Sequence, residues 1–305
     1  MTLNLLRGDA VIRFVATTLI LAVAGLVLVG TSGCRKAIAI NPAPNVSVAK
    51  ELRAGSGGGE AAATQTAEPT GTGWGALKGK FVFAGDPPAA AFLSTAGKDG
   101  AVCGQQVPNQ QLVVDSGNKG IANVVVFARK VSRVFKPEDG AAPAEATPPI
   151  FDQKGCLFLS HVFATSTKVP LEIKNSDPVS HNTSFDPGGG NTPANPLLQP
   201  NSSVTYKFSR PMSEPKSATC SIHPWMKAFI IARDDPYVTV SKPDGSFEIK
   251  NLPAGEDIEF QVWHEQATGG LEAKGGWSKG RFKVKVPADG ELDLATIEVP
   301  ATAFH

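Results

Sequence analysis

"PDGSFEIKNLPAGEDIEFQV", residues 243 to 262, is the stretch whose reading decides the fold. Asp244 and Gly245 signal a hairpin turn, Phe247 and Ile249 alternate toward one face, and Gly255 permits the positive φ of a second turn. The stretch therefore reads as strand, turn, strand. Outward from it the pattern repeats: "GRFKVKVP" and "DLATIEVP" follow, and "YVTVSK" precedes.

Further upstream, "LKGKFVFAG" from Leu77 and "IANVVVFARK" from Ile121 are Val- and Phe-rich runs bounded by Gly and Pro. Between Cys156 and Asp234, "CLFLSHVFATS", "VPLEIKNSD", "SHNTSFD", "SVTYKFS", "ATCSIHP" and "AFIIARD" add six more short strand candidates. No window after the N-terminal segment has a helical period. With 31 Gly, 24 Pro and 19% charged residues in 305, the composition also favours short strands joined by turns. The chain is expected to be all-β.

The N-terminus carries Arg7 and Arg13, an apolar run from Phe14 to Gly30, and "TSGC" ending at Cys34. That order is an export signal. Its close resembles a bacterial lipobox, which implies lipidation of Cys34. The alternative is an uncleaved anchor, since the run is near the short limit of the about 17 to 25 residues that span a bilayer. Residues 35–73, Gly/Ala/Thr-rich, cannot bury enough surface to fold and read as a flexible linker. Both alternatives give an exported, membrane-tethered protein of the periplasm or cell envelope. A net charge of +1 without a basic block leaves no footprint for nucleic acid.

In an oxidising compartment two of Cys103, Cys156 and Cys220 should pair. Cys103 with Cys156 is the expected bridge, because Cys220 sits beside metal-ligand types and the other two do not. A bridge through Cys220 is the competing pairing, and it would abolish a metal site there. "CSIHPWM" from Cys220 to Met226 places a thiol, an imidazole and a thioether together, and "IKNSDPVSHNTSFD" upstream supplies His181. A thiolate, two imidazoles and a distant soft sulfur are what a type 1 copper site uses: the thiolate bond is covalent, and the imidazoles accept both oxidation states. Zinc would want a hard or thiolate fourth ligand instead of a thioether.

On these residues the region from about Ile150 to Arg233 resembles the cupredoxins, in particular their short-loop, amicyanin-like branch. The resemblance implies a Greek-key sandwich binding one type 1 copper through His181, Cys220, His223 and Met226. It also implies that Asn182 and Ser221 hydrogen-bond to each other across the two ligand segments, and that the edge of His223 reaches the surface as an electron gateway. The strand before the thiol, "SEPKSATC", lacks the Tyr-rich pattern usual in the family.

The opening stretch resembles the carboxypeptidase regulatory-like β-sandwich, whose signature is D-G-x-F-x-I followed by N-L-P-A-G. Its first strands would then be those at 74–149 and its remainder 236–305, with the copper domain at 150–235 nested between them. Two consecutive domains are the alternative. The whole is expected to be an electron carrier and not an enzyme, passing single electrons to a transient partner such as a cytochrome or dehydrogenase. Two other readings are a copper storage or delivery protein, and an envelope binding module with a relic metal site and an aromatic platform of Trp74, Trp263 and Trp277. Of the other histidines, His161 and His264 are expected to be structural, and His305 ends the chain.

Overall fold

The computed structural model describes residues 71–136, 147–273 and 277–304. The leader with Cys34, the linker as far as residue 70 and His305 lie outside them. The described chain is all-β. Its first strands are Trp74–Ala84 (β1), Phe92–Ser94 (β2), Gln106–Pro108 (β3) and Val125–Ala128 (β4), with a short helix, Gly100–Cys103 (α1), between β2 and β3. A middle group runs through Ile150–Lys154 (β5), Leu157–Phe158 (β6), Val162–Ser166 (β7), Leu171–Asn175 (β8) and His181–Asn182 (β9). It continues with Ser184–Phe185 (β10), Leu197–Leu198 (β11), Ser202–Tyr206 (β12), Lys216–Thr219 (β13) and Lys227–Arg233 (β14). Val238–Val240 (β15), Ser246–Pro253 (β16), Asp257–Trp263 (β17), Arg281–Lys285 (β18) and Glu291–Pro300 (β19) complete the chain.

Early and late strands share one sandwich. β1 pairs antiparallel with β16 and parallel with β19, and the facing sheet has the order β15-β4-β17-β18. Leu77, Phe81, Phe247, Ile249, Phe260 and Val262 are buried between the two sheets. At Gly245 the φ of 84° and the approach of Phe81 O, 2.2 Å from where a Cβ would stand, leave room for glycine alone. The middle group forms a second sandwich from sheets β10-β13-β14-β7 and β12-β8-β5-β6 around Phe151, Phe158, Leu171, Ile173 and Ile231.

The two sandwiches stack through a core. Every residue of β4 is buried: Val126 and Ala128 face the first core, Val125 and Phe127 the second. This explains why "VVVFA" is a continuous apolar run where a half-exposed strand would alternate. β14 is likewise buried from Ala228 to Arg233. Phe229 meets Trp263 at 4.8 Å, and Arg233 donates to Ala128 O at 2.9 Å. Each fully buried Val, Ile or Phe side chain of these strands contributes about 1.5–3 kcal/mol. Trp74 lies edge-on to Phe135 and Trp277 stacks on Phe282, so all three tryptophans of the supposed platform pack against other rings.

One excursion leaves the first sandwich. β2 and β3 pair with each other around α1, and Val102 and Cys103 pack into the second core, where Cys103 is disulfide-bonded to Cys156. The excursion thus lies against the metal-ligand candidates.

Candidate metal centre

His181 is held from behind by Asp177. Gly155 and Cys156 form the two-residue turn between β5 and β6, both with left-handed φ, 63° and 56°. Their backbone N–H groups donate to the Asp177 carboxylate at 2.6 and 2.8 Å. The same carboxylate lies 2.8 Å from His181 Nε2. β9 pairs with β11, setting His181 opposite Leu198, and the ring is fully buried.

The second ligand segment is the loop from β13 to β14. It closes on itself, with Cys220 N donating to Met226 O at 3.2 Å and Met226 N to His223 O at 2.9 Å. Cys220, His223 and Met226 are all buried, and Cys220 is the free cysteine of the described residues. In "SEPKSATC" Ala218 points into the core and Ser217 out, so a small residue packs beneath the thiol.

The ring nitrogens of the two histidines converge. His181 Nδ1 and His223 Nδ1 are 2.9 Å apart, and Cys220 Sγ is 4.0 and 3.9 Å from them. His223 Nε2 in turn lies 2.8 Å from the Asp99 carboxylate. A carboxylate at each Nε2 makes that nitrogen the N–H donor, so both Nδ1 atoms present lone pairs to one another. Burial lowers the pKa of His181, with His223 adding to this against the pull of Asp177, so the neutral ring is favoured. Two facing lone pairs beside a thiol call for a shared cation. Bond lengths of about 2.0–2.1 Å to nitrogen and 2.3 Å to sulfur put trigonal donors roughly 3.5 Å (N to N) and 3.8 Å (N to S) apart; the two sulfur distances match, and the nitrogens, at 2.9 Å, stand closer together than an ion between them would hold them.

Asn182 and Ser221 link the two segments. Asn182 Oδ1 accepts from Ser221 N at 2.8 Å and Ile222 N at 3.3 Å, and Asn182 Nδ2 donates to Ser221 Oγ at 3.4 Å. Asn182 N points at Cys220 Sγ at 3.4 Å, a donor suited to a thiolate. The Cys103–Cys156 sulfurs also lie close: both are within 4.8 Å of a His223 nitrogen, and that of Cys156 is also within 4.8 Å of a His181 nitrogen and an Asp177 oxygen.

One expectation is corrected. His223 does not reach the surface: its exposure is 0%, and Asp99 occupies its outer edge. Asp99 and Asp177 are the residues of this cluster that sequence reading missed. Asp177 stands four residues before His181, a spacing that could have been noticed; Asp99 is 124 residues from His223, and no local pattern joins them. His161 stands apart from the ligand group, its Nε2 against Glu265, which also pairs with Lys227 at 3.1 Å. His264 is buried with its ring against Phe304, and burial pushes its pKa down to about 4.

No protein-family model and no curated protein matches the chain. Among solved structures, amicyanin from Paracoccus versutus is similar over 35% of this chain and 96% of its own, at 16% identity and a TM-score of 0.25. A reduced amicyanin variant matches over 30% of this chain and 89% of its own, at 16% identity and a TM-score of 0.26. The Cu-containing nitrite reductase of Thermus scotoductus SA-01 shares 23% identity over 28% of this chain, with a TM-score of 0.25. That match spans only 22% of the reductase. Likenesses at this level carry no further weight.

Proposed function

We propose that this protein is an exported, membrane-tethered type 1 copper protein that transfers single electrons. The observation that carries the reading is the convergence of His181 Nδ1, His223 Nδ1 and Cys220 Sγ in a buried site whose imidazoles are both held from behind by carboxylates. His181, Cys220 and His223, with Met226, would hold a copper ion, which would supply a one-electron couple when bound. The chain's part is to keep the donors still. Asp177 and Asp99 fix the rings, Asn182 N stabilises the thiolate, and burial excludes water. Full burial also disfavours the ready exchange that a storage or delivery protein needs.

With the His223 edge covered, the way out is Trp225. Its half-buried ring lies 5.1 Å from His223, its Nε1 donates to Cys156 O, and the exposed Pro224 stands beside it. A transient redox protein, a cytochrome or dehydrogenase, is the partner class that suits a small contact of this kind. Export, tethering through Cys34 or an uncleaved anchor, and the regulatory-like identity of the outer sandwich remain part of the proposal. They are supported by the leader motif, the D-G-x-F-x-I and N-L-P-A-G sequences, and a disulfide suited to an oxidising compartment.

Stopped-flow reduction of the copper-loaded protein by a small cytochrome tests the carrier reading. One electron per chain should pass, and Trp225→Leu should slow the exchange without changing the visible spectrum. A copper centre that does not cycle would overturn it.

A further inference from the structure

The excursion around α1 carries Asp99 into the metal centre, and three features of that residue stand out together. It occupies the N-cap position of α1, where an aspartate ordinarily accepts a backbone N–H of its own helix. Here the side chain makes no capping bond. Its carboxylate turns instead to His223 Nε2, at 2.8 Å. The backbone at Asp99 is left-handed, φ 49°, a conformation that aspartate adopts more readily than most residues with a Cβ. The neighbouring Lys98 is committed in the same direction: its Nζ donates to Ile222 O at 2.7 Å, one residue before His223. Four residues after Asp99, Cys103 is joined to Cys156, whose backbone N–H is bound by the Asp177 that holds His181. The Asp99 side chain thus makes no local capping bond and is engaged instead with the ligand loop.

We propose that Asp99 is a positioning residue of the metal centre. By accepting from His223 Nε2 it fixes the rotation and tautomer of that ring, so that Nδ1 faces Cys220 and His181, and the Cys103–Cys156 disulfide holds it there. This rests on the metal-centre reading above. It adds that the centre is incomplete within the 150–233 segment: one imidazole is oriented by a carboxylate from a stretch of chain that precedes the whole ligand-bearing sandwich. It also makes the disulfide part of the site, since cutting it frees the only covalent tie between the excursion and that sandwich near His223 among the described residues.

The test uses the full-length protein with its disulfide intact, first without metal and then with Cu(II) as the probe. Long-range proton–nitrogen NMR of the metal-free protein reports the tautomer of each imidazole. Wild type should show His223 as the Nε2–H form. Asp99→Ala should give a mixed tautomer and a Cu(II) affinity lower by about 10- to 100-fold, the usual cost of losing such a partner. Asp99→Asn, whose amide oxygen still accepts from Nε2–H, should restore the tautomer. A Cys103→Ser/Cys156→Ser double variant should behave like Asp99→Ala although Asp99 is present. An unchanged His223 tautomer in Asp99→Ala overturns the proposal, whatever metal the protein takes. A tautomer that shifts in Asp99→Ala while wild type binds no copper supports the positioning role and sinks the copper reading alone.

Discussion

His181 and His223 are held by matching bonds and by unlike pieces of chain. Behind His181, Asp177 belongs to the same sandwich, is almost fully buried, and is itself fixed by two backbone N–H groups of the Gly155–Cys156 turn. Behind His223, Asp99 comes from an excursion of the neighbouring sandwich, has a side chain 38% exposed, and depends on a disulfide and Lys98 for its place. The same hydrogen bond is therefore structural on one side and added on the other. Removing Asp177 strands buried donors; removing Asp99 leaves a gap that water can fill.

The most damaging test of this contrast is Asp177→Ala. It leaves the buried Cys156 N–H and His181 ring, and the exposed Gly155 N–H, without their acceptor, at about 1–3 kcal/mol for each buried group. A loss of at least about 2 kcal/mol by urea unfolding is expected. The Cys103→Ser/Cys156→Ser variant should lose about 2–4 kcal/mol, because the bridge closes a loop between residues 53 apart in sequence. His264 sharpens the comparison as a buried histidine with no carboxylate hydrogen-bonded to its ring among the described residues: its Nδ1 accepts from Gln266 N at 3.3 Å. Its pKa is lowered from 6.5 to about 4 by burial, so the folded state resists protonation. The stability it contributes is complete above about pH 6.5 and is lost as pH falls toward 4, by about 3 kcal/mol. Urea midpoints at pH 7 and 4 should show a smaller difference for His264→Phe than for wild type. Smallest of all, Asp99→Ala should shift stability by less than about 1 kcal/mol, as suits a hydrogen bond whose part-exposed acceptor water can replace. A large loss there would erase the distinction between the two sides.

What the sequence reveals follows the same division. His181, Cys220, His223 and Met226 fall on two short segments, and a β-hairpin with a seven-residue loop is a local object that spacing can describe. The Asp244–Gly245 turn and the alternation of Phe247 and Ile249 are equally local, and the structure has a strand there with both side chains inward. The continuous apolar run at Val124–Ala128 signals burial on both faces but cannot say which layers cover them. Asp99 was illegible because its meaning arises only when a loop outside the ligand-bearing sandwich folds onto it. For the same reason the burial of His223 could not be foreseen from the spacing of Cys220, His223 and Met226 alone.

The measurement that tests the central claim most directly is the visible absorption spectrum of the Cu(II)-loaded protein beside a Cys220→Ala control. An intense blue thiolate-to-copper band in wild type, absent from the control, is the expected result. A colourless or pale wild-type product, or a band that survives loss of Cys220, would contradict it.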